Sequence, residues 1–171
     1  MEQLITHFKS LDRKRLTQGN LSYQYTSKGV WAGSHLESIF KLFQEIKLDK
    51  FKNFLDLGSG DGRVVLIASL FTKASGVEAD IDLIAKANKI KTRYKLKADF
   101  IVDDFFNIDL SKYDIIYINP DKGFNYGLER KLKDELKGKL LVYNNLFLPR
   151  FLKQGKVHLF NNIPIVEFTN V

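Results

Sequence analysis

Cysteine is absent from the 171 residues, which excludes a disulfide framework and any thiolate metal site. The three histidines, His7, His35 and His158, are scattered, so no zinc site is expected and no metal ligand is assigned. No apolar run approaches the roughly 20 residues that a bilayer span requires. The first sixteen residues mix Glu2, Lys9, Asp12, Arg13, Lys14 and Arg15 with apolar side chains, unlike a secretory signal. The expectation is a soluble, cytoplasmic protein. No internal repeat, low-complexity tract or linker divides the chain, and its length suits one domain with a substantial core, 1–171.

Acids are in deficit: 20 Asp and Glu face 27 Lys and Arg, a formal charge of +7. The excess gathers in two stretches. One is Lys86 to Lys97, with Lys86, Lys89, Lys91, Arg93, Lys95 and Lys97; the other is Lys122 to Lys156, with nine further cations. Such faces attract nucleic acid or an acidic protein partner, or simply keep a surface solvated.

What the chain does have is Asn53 to Arg63, reading Asn-Phe-Leu-Asp-Leu-Gly-Ser-Gly-Asp-Gly-Arg. Glycines 58, 60 and 62 follow a short apolar run and precede the apolar segment Val64 to Phe71, which reads as strand, turn and helix start. Glycine lets the backbone turn sharply and lets a ligand approach it closely. A dinucleotide fingerprint would space its glycines as G-x-G-x-x-G, whereas these alternate as G-x-G-x-G behind Asp56. Carboxylates at 56 and 61 suit a cofactor that carries an ammonium group better than a pyrophosphate.

Around that stretch the apolar pattern predicts a helix over residues 4 to 16, a loop from Leu21 to Gly33, and a helix from His35 to Lys47 opened by a Ser34/Glu37 capping box. Beyond Phe51 short strand-like runs alternate with helical ones, the pattern of βα units on a parallel sheet. Strands are expected at Asn53 to Leu57, Ala74 to Ala79, Asp99 to Val102, Asp114 to Ile118 and Lys139 to Tyr143. Helices are expected at Gly62 to Thr72, Ile81 to Tyr94 and Tyr126 to Leu136. Lys156 to Phe160 and Ile163 to Phe168, joined by Asn161-Asn162, read as a hairpin.

In open parallel sheets ligands sit beyond the carboxyl ends of the strands. The second strand ends at Glu78, where an acid can accept from both hydroxyls of a ribose. The third ends at Asp103-Asp104, where an acid can accept from the exocyclic amine of an adenine. Phe105 follows and can stack on the base or pack in the core. The fourth ends in Asn119-Pro120-Asp121.

In its D-x-G-x-G-x-G stretch the chain resembles the class I methyltransferases that use S-adenosylmethionine. The resemblance implies a Rossmann-like α/β fold: a mostly parallel seven-stranded sheet, a C-terminal antiparallel hairpin and helices on both faces. It implies S-adenosylmethionine held by Asp56, Gly58, Ser59, Gly60, Asp61, Gly62, Glu78, Asp104 and Phe105. Trp31 to Ser34, Asp56 to Val65, Phe105 to Ser111, Leu128 to Leu136 and Phe147 to Phe151 are most similar to the small archaeal and mitochondrial protein-lysine methyltransferases. That similarity implies a lysine acceptor on protein and a segment at Trp31 to Ser34 that lies over the cofactor, with residues 1–33 expected to cover the site. Methyl transfer to an amine, which needs an aligned nucleophile with a free lone pair, makes Trp31, Asn119 and Asp121 the candidate catalytic residues, with Tyr25 beside them. In that family the stretch at Trp31 to Ser34 usually contains a proline, where this chain has Gly33. Asn119-Pro120-Asp121 only partly resembles the N-P-P-aromatic motif of enzymes that methylate exocyclic or glutamine amines. RNA or DNA methylation and a non-catalytic cofactor-binding subunit are the alternatives; the oligomeric state is left open.

Overall fold

The computed structural model describes residues 1–26, 29–124 and 126–170. Its frame is a seven-stranded sheet built from β3 (Asn53–Leu57), β4 (Lys73–Glu78), β5 (Ala98–Val102), β6 (Ile115–Ile118), β7 (Lys139–Tyr143), β8 (Lys153–Phe160) and β9 (Ile163–Thr169). The order across the sheet is β5-β4-β3-β6-β7-β9-β8. The five strands from β5 to β7 pair in parallel, and β9 pairs antiparallel with both β7 and β8. Asn161 and Asn162 turn the closing hairpin with φ of 51° and 61°, the left-handed conformation that a two-residue hairpin turn needs and that asparagine tolerates. The expected sheet and hairpin are present.

Alternation along each strand sends side chains into two separate cores. Phe54, Ile115, Tyr117, Leu141 and Tyr143 face one core, which is completed by α1 (Glu2–Thr17), α2 (Leu36–Glu45) and α3 (Arg63–Ala68). Leu55, Leu57, Ile116, Ile118, Leu140 and Val142 face the other, covered by Leu128, Leu132 and Leu136 in and just after α5 (Tyr126–Glu135). Full burial of each such side chain contributes roughly 1.5–3 kcal/mol. The helix between β4 and β5, α4 (Ile81–Arg93), starts at Asp80, whose carboxylate accepts from the N–H groups of Asp82 and Leu83. Among the described residues no helix is long and apolar enough to cross a membrane.

Three local expectations are corrected. The N-cap of α2 is His35, whose Nδ1 accepts from the Ser38 N–H. Ser34 cannot serve, because its hydroxyl shares a hydrogen bond with the buried Tyr117 hydroxyl (2.9 Å), and Glu37 is paired with Lys9. The predicted loop Leu21–Gly33 contains two short strands, β1 (Tyr23–Tyr25) and β2 (Val30–Ala32), paired antiparallel with Gln24 opposite Trp31; Ser27 and Lys28, within it, lie outside the described residues. Finally, α3 stops at Ala68, short of Thr72. Ser69 turns its hydroxyl back onto the Leu66 carbonyl, a local bond that competes with continuation of the helix, and the Thr72 hydroxyl is drawn to the Phe51 carbonyl, 21 residues away.

Candidate functional site

β3 and β6 are neighbours, yet the chain leaves β3 toward β4 and returns to β6 on the other side. The carboxyl ends of the strands therefore part at this point, which is where a parallel sheet offers a crevice. A cavity of about 250 Å³ occupies it, lined by Leu57 and Gly58 at the end of β3, Glu78 at the end of β4, Asp104 and Phe105 after β5, and Asn119, Pro120 and Asp121 after β6. The β1–β2 hairpin supplies another wall with Thr26, Val30 and Trp31. A smaller cavity of about 40 Å³ lies behind it, lined in part by Ser34, Asp56, Ser59 and Tyr117.

The glycine turn is shaped by what surrounds it. Gly58 has φ +73°, and no atom lies within 4 Å of where a Cβ would stand, leaving its backbone open to a ligand. Gly60 has φ +54°, and a Cβ there would collide with the Trp31 ring. Trp31 thus seats directly on the turn, and no other residue at 60 would let it. The turn is tied to the neighbouring strand through Glu78, which accepts from the Gly60 N–H (2.9 Å) and, through its other oxygen, from the Asp80 N–H (3.0 Å). Each carboxylate oxygen keeps a further lone pair for a ligand hydroxyl.

Asp56 is 3% exposed and makes no hydrogen bond through its carboxylate among the described residues. Burial, together with the neighbouring charges of Glu78 and Asp61, pushes its carboxyl well above the usual range. The Ser59 hydroxyl is likewise buried without a partner among the described residues. Asp56 and Glu78 thus lie close together with no cationic partner on either carboxylate among the described residues.

Asp56 also carries a prediction for stability. A carboxyl whose folded pKa is raised stabilises the folded state at and below the unfolded value of about 4 and loses that contribution as pH rises toward the folded value. Asp56→Asn should therefore raise the melting temperature at pH 7, with the gain over wild type shrinking as pH falls to 4. Thermal denaturation of both proteins across that range checks it; equal melting temperatures at pH 7 would contradict the assigned burial cost.

Asp61 and Gly62 do not line the main cavity. Gly62 instead caps the start of α3. The Asp61 carboxylate binds Arg63 (Nε to Oδ1 3.0 Å, Nη2 to Oδ2 2.8 Å), and the same guanidinium reaches Asp12 of α1 at 2.8 and 3.0 Å. Arg63 is nearly fully buried and lies against the Trp31 ring at 5.2 Å and the Phe8 ring at 5.0 Å. The two carboxylates outweigh its desolvation and raise its pKa further. Motif reading did not find this triad, since Asp12 and Arg63 are 51 residues apart.

Asp104 accepts from the Phe106 N–H, and Asp103 accepts from the Asp104 N–H and the Asn107 amide. Phe105 is half-buried, with its ring 4.9 Å from that of Phe106. At the fourth strand end, the Asn119 amide donates to the Ala32 carbonyl (3.2 Å) and faces Ser34 Oγ (3.4 Å), and its oxygen faces the Asn144 amide (3.4 Å). Asp121 accepts from the Val30 N–H (2.7 Å), clasping the hairpin to β6. Ser34, Tyr117 and Asn144 are thus further members of the site.

Structures of known proteins share this fold. An RNA methyltransferase from Salinibacter ruber, in complex with S-adenosyl-L-homocysteine, superposes with a TM-score of 0.62 at 19% identity over 78% of this chain and 88% of that one. The Pyrococcus abyssi tRNA (uracil-54, C5)-methyltransferase, also in complex with S-adenosyl-L-homocysteine, does so with a TM-score of 0.66 at 12% identity over 88% of this chain and 45% of that one. The chain has the class I methyltransferase fold. Residues 13–89, from α1 into α4, match the family model described as histone methylation protein DOT1. A protein-lysine N-methyltransferase of Saccharolobus islandicus (strain REY15A) is 33% identical over 97 residues, 54% of this chain. The match spans 60% of that relative's length. The resemblance to methyltransferases expected from the glycine turn is borne out.

Proposed function

We propose that this chain is an S-adenosylmethionine-dependent methyltransferase that modifies protein lysine side chains. The observation that carries the cofactor reading is the buried, donor-less Asp56 beside Glu78 and the open backbone of Gly58. S-adenosylmethionine brings an ammonium group for such an acid and ribose hydroxyls for Glu78, and when bound it supplies an electrophilic methyl group on a sulfonium. Asp104 and Phe105 would receive its adenine.

The chain's own work is positioning. In-line displacement needs the nucleophile aligned and presented with a free lone pair. Trp31, Val30, Pro120 and Phe124 form a largely apolar wall of the cavity, and such a wall strips water from an incoming ammonium and favours its neutral form. Asn119 is held between the Ala32 carbonyl and Asn144, so its oxygen is oriented to accept from an acceptor amine. Asp121 anchors the hairpin wall through Oδ2; Oδ1 is the chain's candidate acceptor for the amine proton.

The lysine assignment is supported by the DOT1 family match and the Saccharolobus relative. A second reading, nucleic-acid methylation, draws on the cation-rich α4 (Lys86, Lys89, Arg93). Incubation with methyl-labelled cofactor and a cell extract, followed by mass spectrometry of protein and nucleic acid, separates them. Methylated lysine is the expected result. Label confined to RNA or DNA would favour the second reading, and cofactor binding with no label in any fraction would favour a non-catalytic subunit.

A further inference from the structure

A second and larger cavity, about 570 Å³, lies between α1 and α4. Its size is that of a ligand site. Trp31 is common to its lining and that of the cofactor cavity. Its apolar lining is Leu11, Leu83 and Ile90, and its rim is cationic: Lys14 and Arg15 from α1, and Lys86, Lys89 and Arg93 from α4. The α4 cations are spaced i, i+3 and i+7, which places them on one helical face. Lys91, from the same basic stretch, points elsewhere, to the Ala98 carbonyl.

The charge of this groove is unequally used. Arg15 is committed to the hairpin, donating to the Leu21 and Tyr23 carbonyls and to Gln24 Oε1. The groove's two carboxylates, Asp12 and Asp61, are both taken by Arg63. Among the described residues Lys14, Lys86, Lys89 and Arg93 have no carboxylate within ion-pair distance, whereas Lys9, Lys131, Lys139 and Lys156 on other faces each have one. Lys14, Lys86, Lys89 and Arg93 are exposed while Leu83 and Ile90 beneath are buried, so long cationic side chains rise from an aliphatic floor. His7 at one end is held below its ordinary pKa by burial and by Arg93, consistent with a positive field.

That combination selects among anionic ligands. Single-stranded nucleic acid gains affinity by stacking bases on aromatic faces. Here the Trp31 ring is engaged by Arg15 (5.4 Å) and Arg63 (5.2 Å), and His7 packs edge-on against Phe8 and Tyr94. An aliphatic floor inside a cationic rim instead matches a peptide in which acidic side chains alternate with aliphatic ones. We propose that the α1–α4 groove docks an acidic, aliphatic segment of the protein substrate, on the far side of Trp31 from the cofactor. The assignment of the segment to a substrate rests on the proposed function; the recognition chemistry does not.

The test measures binding without turnover. Fluorescence anisotropy of the full chain with a labelled twelve-residue peptide of alternating glutamate and leucine is compared with a lysine–leucine peptide and with a twelve-nucleotide oligo(U) RNA. Calorimetry with S-adenosylmethionine runs in parallel. The acidic peptide should bind in preference to both controls, and Lys86→Glu with Lys89→Glu should weaken it at least tenfold while cofactor affinity is unchanged. The proposal is overturned if the acidic peptide binds no better than the lysine–leucine peptide, if the double variant binds it equally well, or if RNA is the ligand that the double variant loses. Cofactor failing to bind the wild type would instead remove the proposed activity, with peptide anisotropy still deciding the groove.

Discussion

Replacing Glu78 by alanine is expected to weaken S-adenosylmethionine binding by about 100-fold, measured by calorimetry. Glu78 does two things at once. Its oxygens hold the N–H groups of Gly60 and Asp80, fixing the glycine turn against the start of α4, and its remaining lone pairs are where ribose hydroxyls would bind. A hydrogen bond to a charged group contributes about 1.5–3 kcal/mol, and each 1.4 kcal/mol is tenfold in affinity. Loss of ribose recognition alone would account for about tenfold or more, and a turn no longer pinned to β4 for the rest. Glu78→Gln, which keeps an acceptor oxygen but offers an amide to one side, should fall between alanine and wild type. An alanine variant with wild-type affinity would show that the ligand sits elsewhere.

Arg63→Met should cost about 3–5 kcal/mol of folding stability, the range seen when one partner of a buried ion pair is removed and the other is stranded. The stranded group is Asp61, whose side chain is 9% exposed. Methionine fills much of the volume between Phe8 and Trp31, so the loss should come chiefly from charge. In a domain of this size a loss of that order lowers the melting temperature by roughly 10 °C. Adding Asp61→Asn to Arg63→Met should recover a large part of it, because the amide no longer demands a counter-charge. Asp12→Asn should cost far less, about 1 kcal/mol, since Asp12 is 45% exposed and water screens it. Thermal or urea denaturation of the set decides the point: if the Arg63→Met and Asp12→Asn losses are equal, the triad is a surface pair in its energetics.

Local signals were enough to read the parallel sheet, the glycine turn and the closing hairpin. Glycine spacing, an acid at a strand end and a pair of asparagines between apolar runs each act within a few residues. Most of what local signals left out depends on distant residues. Ser34 looks like a helix cap until Tyr117, 83 residues on, takes its hydroxyl. β1 and β2 are three residues each, too short to show alternation, and their hairpin is clasped by Arg15 from α1 and Asp121 from β6's end. Asp61 has the motif position of a ligand-binding acid but spends its charge on Arg63. The basic stretch of residues 86–97 is continuous in sequence yet divided in space, and only the fold assigns Lys86, Lys89 and Arg93 to one groove.

Trp31 is the single tryptophan of the chain, and it rests on Gly60 at the wall of the strand-end cavity proposed to hold the cofactor. Its fluorescence is therefore a direct reporter of that cavity. Titration with S-adenosylhomocysteine should give a saturable change with one site per chain, and the change should be lost or shifted to far higher concentration in Glu78→Ala. No saturable change in the wild type, or a titration identical in the two proteins, would contradict the placement of an adenosyl cofactor between the glycine turn and Glu78.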